Sequence, residues 1–270
     1  MLTKPQRQTN LLSWIAPVTG ILSGYCIWRF LLGSADNFSR PDLAGGFWPH
    51  HEGPRWALAR MYQGGIIVPL LMGALLTVLI FVVDRWIAIR KAPGTRGAAH
   101  FIRQLQYVLA IGNVDTAIRE CTIQRGSLGR IMKAGLLKYQ EMITTNIDKE
   151  KKLLAIEKEL DETAAVELQT LEKNLVFLST IASVATLLGL LGTVIGMITS
   201  FAALGESGGG EAAQRLSQGI SEALYNTALG IGTSAFSIVM YNVFTTRIDA
   251  ITYAIGEGAY TLTQVFGTLY

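Results

Sequence analysis

The residues of this chain best suited to chemistry sit in two apolar stretches near its C-terminus. Thr193 lies in LLGLLGTVIGMITSFAALG (187–205), in a stripe with Gly189, Gly192 and Gly196, and Ser200 follows one turn further on. Thr227 lies in SQGISEALYNTALGIGTSAFSIVMYN (217–242), five positions after Glu222. Gln218 precedes Glu222 by one helical turn, Asn226 follows it by one, and Gly230, Ser234 and Ser237 extend the small or polar stripe. A hydroxyl can pass or orient a proton through hydrogen bonds but stores no charge near neutral pH, whereas a carboxyl can. A carboxyl in or near lipid is costly and usually faces a bundle interior or water. Two readings follow. Thr193, Thr227 and Glu222 line a narrow polar path for an ion. Alternatively, Glu222 is simply hydrated at the membrane boundary and each threonine bonds the carbonyl one turn back in its own helix. The glycine stripe, Gly189, Gly192 and Gly196 with Gly230, reads as helix packing, because small residues let a second backbone approach closely. It predicts a tight contact with another helix and, at Gly196, between copies of the chain.

Other chemistry finds no support. The sequence has no nucleophile–base pair, paired carboxylates or HExxH pattern. GESGGG (205–210) is Gly-rich but lacks the lysine of a phosphate-binding loop, so a flexible hairpin turn is the better reading. His50 and His51 are adjacent and would point to different sides of a regular element, which favours an exposed loop over a metal site. Cys26 sits in an apolar run and Cys121 in a charged region, which supports neither a disulfide nor a metal site. No enzyme and no cofactor are expected. A net charge of +3 gives no case for nucleic-acid binding.

Positioning these residues requires a membrane. Half of the chain is hydrophobic, only 16% is charged, and the mean hydropathy is +0.35, as for an all-α integral membrane protein with a polar portion. Four stretches approach the roughly 20 apolar residues that cross a bilayer: 11–32, 64–84, 175–204 and 214–246. The last two, joined by 205–213, form an antiparallel hairpin. Lys and Arg flanking the spans set the orientation. Arg85, Arg90, Lys91 and Arg96 follow the second span, five lysines between 149 and 173 precede the third, and 205–213 has none. Residues 1–10, 85–174 and 247–270 are therefore expected in the cytoplasm, the last as a tail, with 33–63 and 205–213 on the other side. Trp28, Trp48, Trp56 and Trp86 fall near the expected interfaces. The first run resembles a signal peptide, with Ser34-Ala35 as small residues for cleavage, but its length, Pro17, Trp14 and Trp28 favour a retained span.

Segment 85–174 reads as helical. Apolar periodicity predicts helices over 100–111, 114–123 and 127–142, broken at Gly112-Asn113, with Ser127 as an N-cap. From Ile147 onward charges recur without Pro or Gly, and the stretch runs into the third span, predicting one helix much longer than the membrane is thick. Its Lys/Glu pattern reads as a solvated face.

Residues 187–201 and 219–244 resemble the last two membrane helices of the MotA/TolQ/ExbB proton-channel family, ExbB and TolQ in particular, and YQGGIIVPLLMGALLTVLIFVVDRW (62–86) is similar to the first ExbB membrane helix. The resemblance implies a homopentamer in the bacterial inner membrane. Its pore would hold single-span helices of an ExbD-like partner that bears a membrane aspartate, and a TonB-like protein would carry the work to outer-membrane transport. It also implies that Thr193 and Thr227 match the family's pore threonines and Glu222 the acidic residue just before the latter. Thr186 stands where many relatives have proline, and the span over 11–32 is extra to the usual three. A TolQ-like, gliding or flagellar-stator motor is the nearest alternative. A non-conducting membrane scaffold, using the small stripes only to pack helices, is the rival from another class.

Overall fold

The computed structural model describes residues 8–40, 42, 51–206 and 210–269. It is helical almost throughout, and among these residues four helices are long and apolar enough to cross a membrane. The chain is a multi-pass, all-α membrane protein. It divides into two compact units, Met1–Val82 with Asn174–Tyr241, and Val83–Lys173 with Asn242–Tyr270.

In the first unit α1 (Gln8–Cys26) passes into a π-helical turn over Ile27–Leu32. Strands β1 (Phe38–Arg40) and β2 (Glu52–Pro54) pair antiparallel, Phe38 opposite Pro54. The short α2 (Ala57–Gln63) then leads through Gly64 and Gly65 into α3 (Ile67–Lys91). Helices α1 and α3 cross antiparallel with their backbones in contact. A methyl group on Gly24 would lie 2.5 Å from the Gly73 nitrogen, and one on Gly73 would lie 2.7 Å from the Ile21 Cα. Helix α8 (Leu175–Glu206) and the first part of α9 (Gly210–Leu269) form the expected antiparallel hairpin. Gly219 meets Ser200 at one end of their contact, and at the other Ser237 donates to the Leu178 carbonyl. Of the expected 205–213 turn, 205–206 end α8 and 210–213 begin α9, while 207–209 lie outside the described residues.

Trp28, Leu32, Phe38, Ala59, Tyr62 and Val68 form a small core in the segment after α1. Two expectations change here. Trp28 does not face outward: it is 1% exposed, stacks on Tyr62 at 4.4 Å and donates its indole N–H to the Tyr62 carbonyl. His51 is not on an exposed loop: it stacks on Phe38, its Nδ1 accepts from the Asp42 amide, and its Nε2 lies 3.1 Å from the Gly33 carbonyl. Both ring nitrogens are engaged, which leaves no lone pair for a metal. His50 and Trp48 lie outside the described residues.

The second unit contains α4 (Ala98–Ala110), α5 (Val114–Gln124), α6 (Gly126–Ile143) and α7 (Lys149–Glu172). Phe101, Leu105, Leu109, Cys121, Ile131 and Leu136 fill its interior. The break at Gly112-Asn113 is present, and the Asn113 side chain caps α5 by accepting from the Thr116 amide. Ser127 is no cap. It is buried inside α6, whose start is set by Arg125 and Gly126 in left-handed conformations. Nor does one helix run from 147 into the third span. It stops at Glu172, and Asn174 adopts φ 69° before α8 begins. Asparagine tolerates that conformation best after glycine. The buried Arg85 takes up the freed carbonyls of Thr170 and Leu171 while pairing with Asp84. Residues 247–269 of the expected tail are helical too. They continue α9, which is 60 residues long, and stack Phe266 on Tyr139 at 4.1 Å.

Candidate functional site

Helices α8 and α9 hold the chemistry-bearing residues. Because α8 is apolar and short of bulk on one stripe, α9 lies directly on it. A methyl group added to Gly189 would meet the Gly230 Cα at 3.2 Å, one on Gly192 the Asn226 Cβ at 2.6 Å, and one on Gly196 the Ala223 Cβ at 2.7 Å. Gly230 in turn sits against the Ala185 carbonyl. The stripe expected to meet a second copy at Gly196 meets α9 of the same chain.

The two threonines differ. Thr227, half-buried, donates its hydroxyl across the hairpin to the Gly189 carbonyl at 2.9 Å, a bond that the glycine makes reachable. Thr193 donates to Leu190 in its own helix at 2.7 Å. Glu222 is half-buried and accepts from Gln218 Nε2 at 3.2 Å. It borders a cavity of about 1060 Å³ lined also by Arg40, His51, Arg60, Tyr62 and Arg215. Burial pushes the Tyr62 phenol above its ordinary range. Neither Thr193 nor Thr227 lines this cavity, so of the three expected path residues only Glu222 borders it.

A second polar line runs down α9 one position away from Thr227. Asn226, Thr233 and Ser237 are all buried. Asn226 donates to the Gly64 carbonyl at 3.0 Å, which ties α9 to the turn before α3, while its Oδ1 and the Thr233 hydroxyl have no hydrogen-bond partner. The sequence carried the signal in the spacing 226, 233, 237, which is helical. Thr233 falls outside the Thr227–Gly230–Ser234 stripe, which hides it in the sequence. No group of three or more metal-ligating side chains occurs among the described residues.

Residues 124–257, which include this hairpin, match the profile of the MotA/TolQ/ExbB proton channel family. A biopolymer transport protein ExbB of Aquifex aeolicus is 30% identical over 117 residues, covering 43% of this chain and 71% of that protein. The chain belongs to the MotA/TolQ/ExbB proton channel family. An ExbB homolog of Methanothermobacter thermautotrophicus is 30% identical over 168 residues, 58% of each chain. The Tol-Pal system protein TolQ of Haemophilus influenzae is 41% identical over 86 residues, 32% of this chain and 37% of TolQ. The chain thus spans less than two thirds of the length of these last two relatives.

Proposed function

We propose that the protein is an ExbB-like subunit of a motor in the bacterial inner membrane, driven by the proton-motive force. Copies of the chain form a homopentamer around a pore, and an ExbD-like single-span partner inside it supplies the titrating aspartate. A TonB-like protein couples the resulting motion to outer-membrane transport. Residues 85–174 and the C-terminus are cytoplasmic, and residues 1–35 are retained. Close α1–α3 packing at Gly24 and Gly73 supports their retention.

One observation carries the reading. Thr227, within the family match, places its hydroxyl on the hairpin contact five residues after Glu222. Neutral hydroxyls suit a path whose charge is supplied by a partner, since they solvate an acid without trapping its proton. A TolQ-like motor is the second reading, favoured by the 41% identity to the Haemophilus influenzae protein.

Thr227→Val tests the proposal. Valine keeps the shape and removes the hydroxyl, so the variant should assemble at wild-type abundance and lose work driven by the proton-motive force. Normal energised transport at equal abundance would overturn the pore role and leave the scaffold. Affinity purification of the tagged chain from its own membranes separates the subtypes. A small single-span partner with a membrane aspartate is expected in either case, and a TonB-like or a Tol-Pal protein with it tells which motor is driven.

A further inference from the structure

A second cavity, of about 460 Å³, lies in the unit of Val83–Lys173 and Asn242–Tyr270, where the last turns of α3 face the 243–254 stretch of α9. This is within the roughly 300–1,000 Å³ usual for small-molecule sites. Most of its wall is apolar, including Ile89, Leu128, Phe244 and Ile251. Arg90 and Arg247 also line it, and no acidic residue does. Neither arginine has an ion-pair partner among the described residues. Arg90 is held with its guanidinium carbon 4.8 Å from the centre of the Trp86 ring, and Trp86 meets Phe244 edge-on at 6.4 Å.

The position of these residues in the chain narrows the ligand. The apolar run of α3 ends at Asp84, so Trp86, Ile89 and Arg90 occupy the turns just beyond a membrane-length stretch. Trp86 remains 43% exposed, as tryptophan does where one end of the ring is dry and the other wet. Arginine grips phosphate through two parallel N–H donors. A phosphate ester that carries hydrocarbon satisfies both the guanidinium pair and the apolar wall. A soluble phosphate leaves the wall wet, and a zwitterionic headgroup brings a cation to two arginines. We propose that this cavity binds an anionic glycerophospholipid, with its phosphate between Arg90 and Arg247 and its upper acyl chain along Ile89, Phe244 and Ile251. The inference needs α3 to cross the membrane and is independent of the motor reading.

Native mass spectrometry of the full chain in mild detergent, titrated with phosphatidylglycerol or phosphatidylcholine of matched acyl chains, reads the site. The wild type should retain phosphatidylglycerol preferentially. Arg90→Gln with Arg247→Gln should lower that preference by about fivefold for each charge removed. Lys91→Gln, exposed and outside the cavity, should leave it unchanged, and inorganic phosphate should not displace the lipid. Ala254→Phe, which fills the slot and keeps both arginines, should lose the lipid too, so a poorly folding double variant does not decide the matter. An undiminished preference in the folded double variant or in Ala254→Phe overturns the proposal. So does displacement by phosphate, which marks a soluble-anion site, or a changed assembly size with lipid preference intact, which marks a contact between copies.

Discussion

Thr233 and Ser237 lie one turn apart on α9 and are both buried, yet only Ser237 has a partner, the Leu178 carbonyl at 2.7 Å. Removing a satisfied buried hydroxyl strands its partner, while removing an unpaired one relieves a desolvation cost. We therefore expect Ser237→Ala to cost about 1 kcal/mol and Thr233→Val to be neutral or to stabilise by up to about 1 kcal/mol. Thermal unfolding of both variants in one detergent checks this, and a marked loss in Thr233→Val would mean that the hydroxyl is used. Cys121 offers a second check. Burial pushes its thiol up from 9.0 to about 12, so it stays protonated and unreactive near pH 8. Iodoacetamide should modify it only after denaturation. The folded state keeps this thiol neutral while the unfolded chain ionises above about pH 8.5, so its contribution to stability is present below that pH and fades as pH climbs toward 12. None of these partners could be read from the sequence. A hydroxyl in an apolar run announces that it needs an acceptor, but the acceptor is a backbone carbonyl, which every residue has.

The α8–α9 hairpin depends on the absence of side chains. Leucine at Gly196 would have to occupy space held by Ala223. Overpacking of this kind costs about 1–3 kcal/mol, and here it strikes the fold of each subunit before any contact between subunits. Gly196→Leu should insert into the membrane but unfold at lower temperature as an isolated chain. Unchanged thermal stability would show that the hairpin opens without cost. The stripe itself was legible because glycine at helical spacing in an apolar run has few other uses. Which helix it meets was not, since a second copy and α9 offer the same small face. The end of α7 was missed for want of Pro or Gly, although Asn174 is the next-best residue for a left-handed turn. The extension of α9 was missed although Ile248, Ile251, Ile255, Leu262 and Phe266 keep a helical period and are all buried. Hydropathy marks where a helix leaves lipid, not where it stops.

The four spans, the hairpin and the helical 98–172 segment of the whole molecule follow from hydropathy and periodicity, which integrate over many residues. The core around Trp28, Phe38, His51 and Tyr62 does not, because it is assembled from a short irregular stretch in which each aromatic residue alone suits a membrane boundary equally well. Orientation rests on the basic flanks. In a Cys26→Ala background, Glu157→Cys on the exposed face of α7 should resist an impermeant maleimide in intact cells and react after lysis. Labelling of unbroken cells would invert the topology.

The hydroxyls of Thr193 and Thr227 both end on carbonyl oxygens. A hydroxyl has one proton, so at rest each presents only lone pairs to whatever comes alongside. In hydrogen-bond terms the two threonines are listeners, and a visitor must bring the donor. A protonated carboxylic acid can do so, while a carboxylate meets lone pair against lone pair until a threonine gives up its carbonyl, at about 0.5–1.5 kcal/mol. If the two threonines line the proposed path, such a lining admits an acid in its neutral form more readily than in its charged form. Under the pore role proposed above, the direction of these two ordinary hydrogen bonds would bias which protonation state of a partner's carboxyl passes the hairpin.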